Sequence, residues 1–279
     1  MSVTNGWGQG AVNNTIDWGK GKTTATNNWG KIYDTSASGD TTLASASTPY
    51  ENLKSIDLDG VDDYVTMGTG NLAFNRTTPF SVSCWIKMHQ AEISMYMGKG
   101  DNGGDYFGWV MWTNISGSKN TLNCRLRKNS SHEVMFLSTN TFNLNQWYHV
   151  VMTYDGSGAN TGLKLYVDGV NQAGTRSGTL GADINYFPDR PFNIGSRNNG
   201  NLPFNGNIDE VGIFDAELSA SDVTDIYNSG TPASLSSYSS LTNWWRCGDG
   251  DTSPTLTDNK GSINGTMTNF TAFSSDVPT

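Results

Sequence analysis

Residues 80–88 alternate apolar and polar positions, with Phe80, Val82, Cys84, Ile86 and Met88 on one side and Ser81, Ser83, Trp85 and Lys87 on the other. A period of two places successive side chains on opposite faces of an extended chain and predicts a β-strand with one face in a core. Short alternating or β-branched and aromatic runs recur at 55–60, 63–67, 106–113, 121–127, 133–138, 147–154, 163–168, 192–195 and 208–214. Turn chemistry separates them, and Asp59-Gly60 and Asp168-Gly169 are pairs that accept the positive φ of a tight hairpin. Strands and turns at this density predict an antiparallel sandwich, jelly roll or barrel.

A single helical pattern interrupts the strands. Ser219 and Asp222 make a capping-box start, Val223, Ile226 and Tyr227 share a face, and Gly230 and Pro232 end the segment. Residues 233–279 return to strand and turn chemistry, with a strand candidate at 241–247. Alone, they are too few for a core, so they must complete the sandwich of residues 50–232, either in the same chain or with a neighbouring subunit.

Residues 1–49 carry almost no aliphatic side chains. Trp7, Trp18 and Trp29 are each followed by glycine and are spaced 11 residues apart. Regularly spaced indoles in a polar setting suit an extended arm that buries them against a partner or another copy of the chain. The plainer reading is a polar leader.

Composition narrows the function classes. The net charge is −9, which disfavours general nucleic-acid binding, and 15% charged residues is too few for charge-driven disorder. No apolar run is long enough to span a bilayer, and the first residues lack a basic start and apolar core, so membrane insertion and a signal peptide are not expected. The three cysteines, Cys84, Cys124 and Cys247, form no close pair, and His89, His132 and His149 have no Cys or His at metal-ligand spacing. No nucleophile elbow or phosphate loop is present.

The segments 56–65, 80–87, 146–156, 163–169 and 204–214, followed by the helix at 218–227, resemble the laminin G-like domains of the concanavalin A-like superfamily. The resemblance covers about two thirds of the chain and implies an all-β, antiparallel jelly-roll sandwich with one short helix, preceded here by the N-terminal arm. One departure stands out: the aromatic strand and the Asp-Gly-rich turn with which such domains open resemble residues 243–250 and 257–267, which lie at the C-terminal side. The arm and the Trp244-Trp245-Arg246 tail also resemble flanks of tailed-bacteriophage virion proteins. That resemblance implies a virion location, other virion proteins as partners and a homo-oligomer.

The fold hosts glycoside hydrolases, which need paired carboxylates on one strand. The nearest match, residues 207–211, has Asn207 and Val211 where the outer carboxylates belong, so no enzyme is expected. Some members of the superfamily hold calcium near the Asp-Gly turn. Here Asp59 and Asp62, with Asp209 turned inward by its alternation with Val211 and Ile213, are the calcium candidates. Capping of Asp209 by backbone amides of the turn is the alternative. For a cell-surface glycan, Trp85, Tyr166 and Trp109 or Trp112 are the candidate stacking platform. Burial of those rings under loops or a subunit interface is the alternative.

Overall fold

The computed structural model describes residues 13–14, 22–26, 32–36, 50–70, 72, 74–100, 108–129, 131–181, 190–198, 200–270 and 272–279. The chain forms two units, residues 1–50 and 51–279. In the first, β1 (Asn13–Asn14), β2 (Lys22–Thr26) and β3 (Ile32–Ser36) pair antiparallel in that order. Trp7, Trp18 and Trp29 lie outside the described residues.

The second unit opens with β4 (Ser55–Asp59), β5 (Tyr64–Thr66), β6 (Phe80–Met88), β7 (Met95–Gly100) and β8 (Gly108–Ser116). It continues through β9 (Lys119–Asn129), β10 (His132–Ser138), β11 (Trp147–Tyr154), β12 (Leu163–Val167), β13 (Val170–Asn171) and β14 (Gly174–Thr179). After β15 (Phe192–Ile194) and β16 (Asn205–Phe214) comes α1 (Ala220–Tyr227). The last strands are β17 (Leu241–Trp245), β18 (Thr255–Leu256), β19 (Gly265–Thr268) and β20 (Phe273–Ser274). One sheet runs β14-β10-β9-β8-β7-β15-β5-β19-β18, and the other β13-β12-β11-β6-β16-β4-β20, with β17 also on β16. All of these pairings are antiparallel, giving a two-sheet sandwich, one of the architectures the strand pattern allows and the one the family resemblance implies.

The core lies between the sheets and is built by the predicted alternation. Phe80, Val82, Cys84, Ile86 and Met88 of β6 are all fully buried there, facing Trp109 and Met111 of β8 and Leu122, Cys124 and Leu126 of β9. An aromatic column crosses it: Phe74 stacks on Phe80 at 4.2 Å, Phe80 meets Trp109 at 6.0 Å, Trp109 meets Phe192 at 5.4 Å, and Phe192 meets Trp245 at 5.6 Å. Such tilted and stacked rings add favourable quadrupole contacts to a large buried apolar area. Burial also pushes the Cys84 and Cys124 thiols far up, so neither is a nucleophile.

The strands after α1 pair within the same chain. Val211 registers with Trp245, Val65 with Met267, and Ile56 with Phe273. The helix starts as the capping box predicts: Ser219 Oγ accepts from Asp222 N at 3.1 Å, and Asp222 Oδ2 accepts from Ser219 N at 2.9 Å. It ends at Asn228 in the left-handed region, φ +47°.

Candidate functional site

Adjacent antiparallel strands bring opposed residues to the same face. The β6–β11 register opposes Trp85 to His149 and Lys87 to Trp147, all on the face turned away from the core. The Trp85 and His149 rings lie 5.0 Å apart, and Tyr227, at the end of α1, stacks over both at 5.9 and 6.1 Å. The helix therefore covers the sheet here, and Trp85 is only 3% exposed.

The β12–β13 turn supplies the next wall. Asp168 and Gly169 have φ of +50° and +78°, the paired left-handed conformations of a two-residue hairpin. The turn is tied back to β11 by Asp168 N donating to His149 O and His149 N donating to Asp168 Oδ1, both at 2.9 Å. A Cβ on Gly169 would lie 3.3 Å from the Tyr227 ring, so glycine lets the turn seat closely against α1. On the other side Asp276 accepts from Trp147 Nε1 at 3.0 Å and from Lys87 Nζ at 2.5 Å.

Between these walls lies a cleft of about 420 Å³ lined by Trp85, Gln146, Trp147, Asp168 and Tyr227. Ser229, Gly230 and Thr279 complete its rim. Burial raises the Asp168 carboxyl, and the His149 N–H bond offsets this only in part. His149 lies beside the cleft, fully buried with Nε2 2.8 Å from Ser83 Oγ, and burial lowers its pKa to about 3, so it is neutral at physiological pH. Burial works upward on Asp276 as well, but the hydrogen bonds from Lys87 and Trp147 outweigh it and hold that carboxyl below its usual value. Stacking rings with a few convergent polar groups is the makeup of a small-molecule site, and the volume falls within the roughly 300–1,000 Å³ such sites occupy.

The four aromatic candidates do not form one platform. Trp85 lines the cleft, and Tyr166 is on the same sheet face but 4% exposed. Trp109 is fully buried in the aromatic column, because the odd-numbered face of β8 is the one turned to the core. Trp112 is on the opposite outer face of the sandwich, half-buried, with the Arg125 guanidinium 5.4 Å above its ring. Sequence reasoning missed Trp147, Tyr227, Gln146 and Asp168. Trp147 is two positions before His149, so its face was readable from the strand period, whereas the approach of α1 to the hairpin had no local signal.

The acidic turn is also reassigned in part. Carboxylate oxygens of Asp59, Asp62 and Asp63 lie within 4.8 Å of one another. Asp63 Oδ2 accepts from Asp59 N at 3.1 Å, and Asp59 Oδ1 accepts from Val61 N at 2.8 Å. Burial raises the Asp63 carboxyl, and the charges of Asp59, Asp62 and Asp57 add to the rise. Three carboxylate oxygens crowded at a bend are the donors a hard cation takes, and a divalent ion would relieve their repulsion. Asp209 is not part of this set. It sits four residues farther along β16 than Asn205, the register partner of Asp59.

The reason is a β-bulge. Asp209 opposes Trp85 and Gly212 opposes Ser83, so Glu210 and Val211 together face Cys84. The extra residue keeps Val211 in the core and turns Asp209 to the outer face. There Asn52 Nδ2 donates to its Oδ2 at 2.8 Å, and Glu210 N to its Oδ1 at 2.9 Å. Burial, followed by the Glu210 charge, raises the Asp209 carboxyl well above its usual value. Glu210, at φ +48°, accepts from Trp244 Nε1 at 2.6 Å and pairs with Arg246 at 3.4 Å.

Residues 59–224 match a laminin G-type family of the concanavalin A-like lectin/glucanases superfamily. No curated protein sequence matches the chain. Among solved structures, a candidate carbohydrate-binding protein from Bacteroides ovatus aligns at 18% identity, covering 92% of this chain and 69% of that one with a TM-score of 0.58. A heptameric pentraxin from Limulus polyphemus aligns at 14% identity over 63% of this chain and 82% of its own, TM-score 0.48. Domain 4 of an arabinanase from Geobacillus stearothermophilus, solved with arabinotriose, aligns at 20% identity over 78% and 89%, TM-score 0.43.

Proposed function

Because the chain belongs to the concanavalin A-like lectin/glucanases superfamily, we propose that it is a non-catalytic, lectin-like module that binds carbohydrate in the cleft between α1, the β12–β13 turn and the segment around Asp276. The observation that carries this reading is the cleft itself, where three aromatic side chains converge with Asp168 and Gln146. Aromatic faces stack on the C–H face of a sugar ring, and carboxylate and amide oxygens accept from its hydroxyls. The description of the Bacteroides ovatus protein agrees with this reading. Catalysis is disfavoured at the carboxylates of β16: Val211 is in the core, Asn207 donates to Ser55 Oγ, and Glu210 is engaged by Trp244 and Arg246. Asp59, Asp62 and Asp63 would hold a calcium ion, whose charge would fix the β4–β5 turn.

The finer reading is a structural subunit of a bacteriophage particle, a decoration, tail or fibre-associated protein that displays this module for glycan adhesion. In it, Trp7, Trp18 and Trp29 dock the chain to other virion proteins or to copies of itself. The 11-residue spacing of those residues supports it. The alternative is a free lectin in which the arm is a leader.

Two measurements test these readings. Screening on a glycan array should give a hit that Trp147→Ala loses, and no hit, or a hit indifferent to Trp147, removes the cleft reading. Light scattering should find the full chain oligomeric and a chain starting at Thr48 monomeric. If both are monomeric, or Trp7, Trp18 and Trp29 all changed to alanine leaves assembly intact, the anchoring role fails.

A further inference from the structure

We propose that the cleft selects a sugar bearing a free ammonium group, a hexosamine, over its neutral N-acetylated and acidic counterparts. The inference rests on the glycan reading of the cleft and adds the charge of the sugar it takes. Among the described residues, Asp168 is the one lining side chain that carries charge, and no Lys, Arg or His lines the cleft. The adjacent cation, Lys87, is held by Asp276 at 2.5 Å, and the adjacent His149 is neutral. An acidic sugar would therefore set its carboxylate beside Asp168 with no counter-cation in the wall.

An ammonium is served on both counts. Asp168 is fixed by its two bonds to His149, which use Oδ1 and the backbone N–H, and its Oδ2 takes no hydrogen bond from the described residues. A charge-assisted bond to that oxygen is about twice as strong as a neutral one. Trp147 and Tyr227, both half-buried, supply aromatic surface whose quadrupole attracts cations, while Trp85 lies beneath Tyr227. The chain's net charge of −9 draws cations toward it at long range. A volume of about 420 Å³ exceeds what a bare alkylammonium head fills and suits a sugar unit.

The test is calorimetric titration of the full chain at about pH 6.5 with the trimer of glucosamine, its N-acetylated trimer, a galacturonic acid trimer and choline chloride. The glucosamine trimer should bind about tenfold tighter than the N-acetylated one. Asp168→Asn keeps an oxygen for the His149 N–H and should bring that ratio within about twofold. Should this variant fail to fold, the wild-type preference should still shrink as salt rises from about 50 to 500 mM. Equal affinities, a salt-indifferent preference, or a preference that survives in Asp168→Asn overturns the charge selection and leaves the glycan reading standing. Choline binding as tightly as the glucosamine trimer overturns the sugar part of the proposal. No binding by any of the three trimers overturns the proposal, and a glycan array that also gives no hit overturns the glycan reading beneath it.

Discussion

Asp168 and His149 exchange two hydrogen bonds across the end of the second sheet, backbone to backbone in one direction and backbone to carboxylate in the other, each at 2.9 Å. The pair fixes the hairpin turn that walls the cleft to the strand that carries Trp147. Asp168→Ala leaves the His149 N–H without its acceptor in a buried setting, at a cost of about 1–3 kcal/mol. Asp168→Asn should recover most of that in urea denaturation. Equal losses for both variants would mean that the carboxylate does not hold the turn.

Acid should weaken the fold through His149. Its folded pKa of about 3 lies below the unfolded value of 6.5, so the unfolded chain takes up the proton first. The resulting stability is fully present above about pH 6.5 and is lost as pH falls toward 3, at up to about 1.4 kcal/mol per pH unit. Asp209, with its raised pKa, contributes the opposite slope on the rise from its unfolded value of 3.8. Comparing wild type with His149→Gln cancels the Asp209 contribution, and the variant should have the flatter stability profile between pH 4 and 6.5. Parallel profiles would exclude His149 as the source.

The two tryptophans of β8 should part company on truncation. Trp109→Ala empties a fully buried site in the aromatic column and should cost about 3–5 kcal/mol. Trp112→Ala, on a half-buried outer position, should cost under about 1 kcal/mol. Chemical denaturation of both variants checks this.

Calcium should stabilise the second unit through the acidic turn. At a hundredfold excess over its dissociation constant the ion would add about 2.7 kcal/mol, roughly 5–10 °C in melting temperature for a unit of this size. Calorimetry with calcium and with EDTA should show the difference in wild type and lose it in Asp62→Asn. Identical melts in wild type would mean that the turn holds no calcium.

Most strand positions and the core were legible because one physical signal wrote them. The period-two run of β6 separates Cys84 and Ile86 from Trp85 and Lys87, and the structure keeps that division. The same signal misled at Asp209, because a single extra residue at Glu210 inverts the alternation and no local residue preference announces it. Alternation also left the faces of β8 unlabelled: it paired Trp109 with Met111 but could not say which side meets the other sheet. The cleft was the least legible part. Trp147, Asp168 and Tyr227 come from two strand ends and a helix end, and only tertiary docking of α1 on the hairpin brings them together.

The interleaving of the two ends of the second unit sets the order of events during synthesis. Ser55 Oγ donates to the carbonyl oxygen of Asp276, a contact that spans 221 residues, while β20 pairs with β4 and β19 with β5. The first strands of the unit thus leave the ribosome long before their partners exist. Contacts of such long range slow folding. Until translation reaches the last strands, β4 and β5 present unpaired edges that other chains can capture. Efficient production of this protein in the cell therefore depends on whatever shields those edges during that interval.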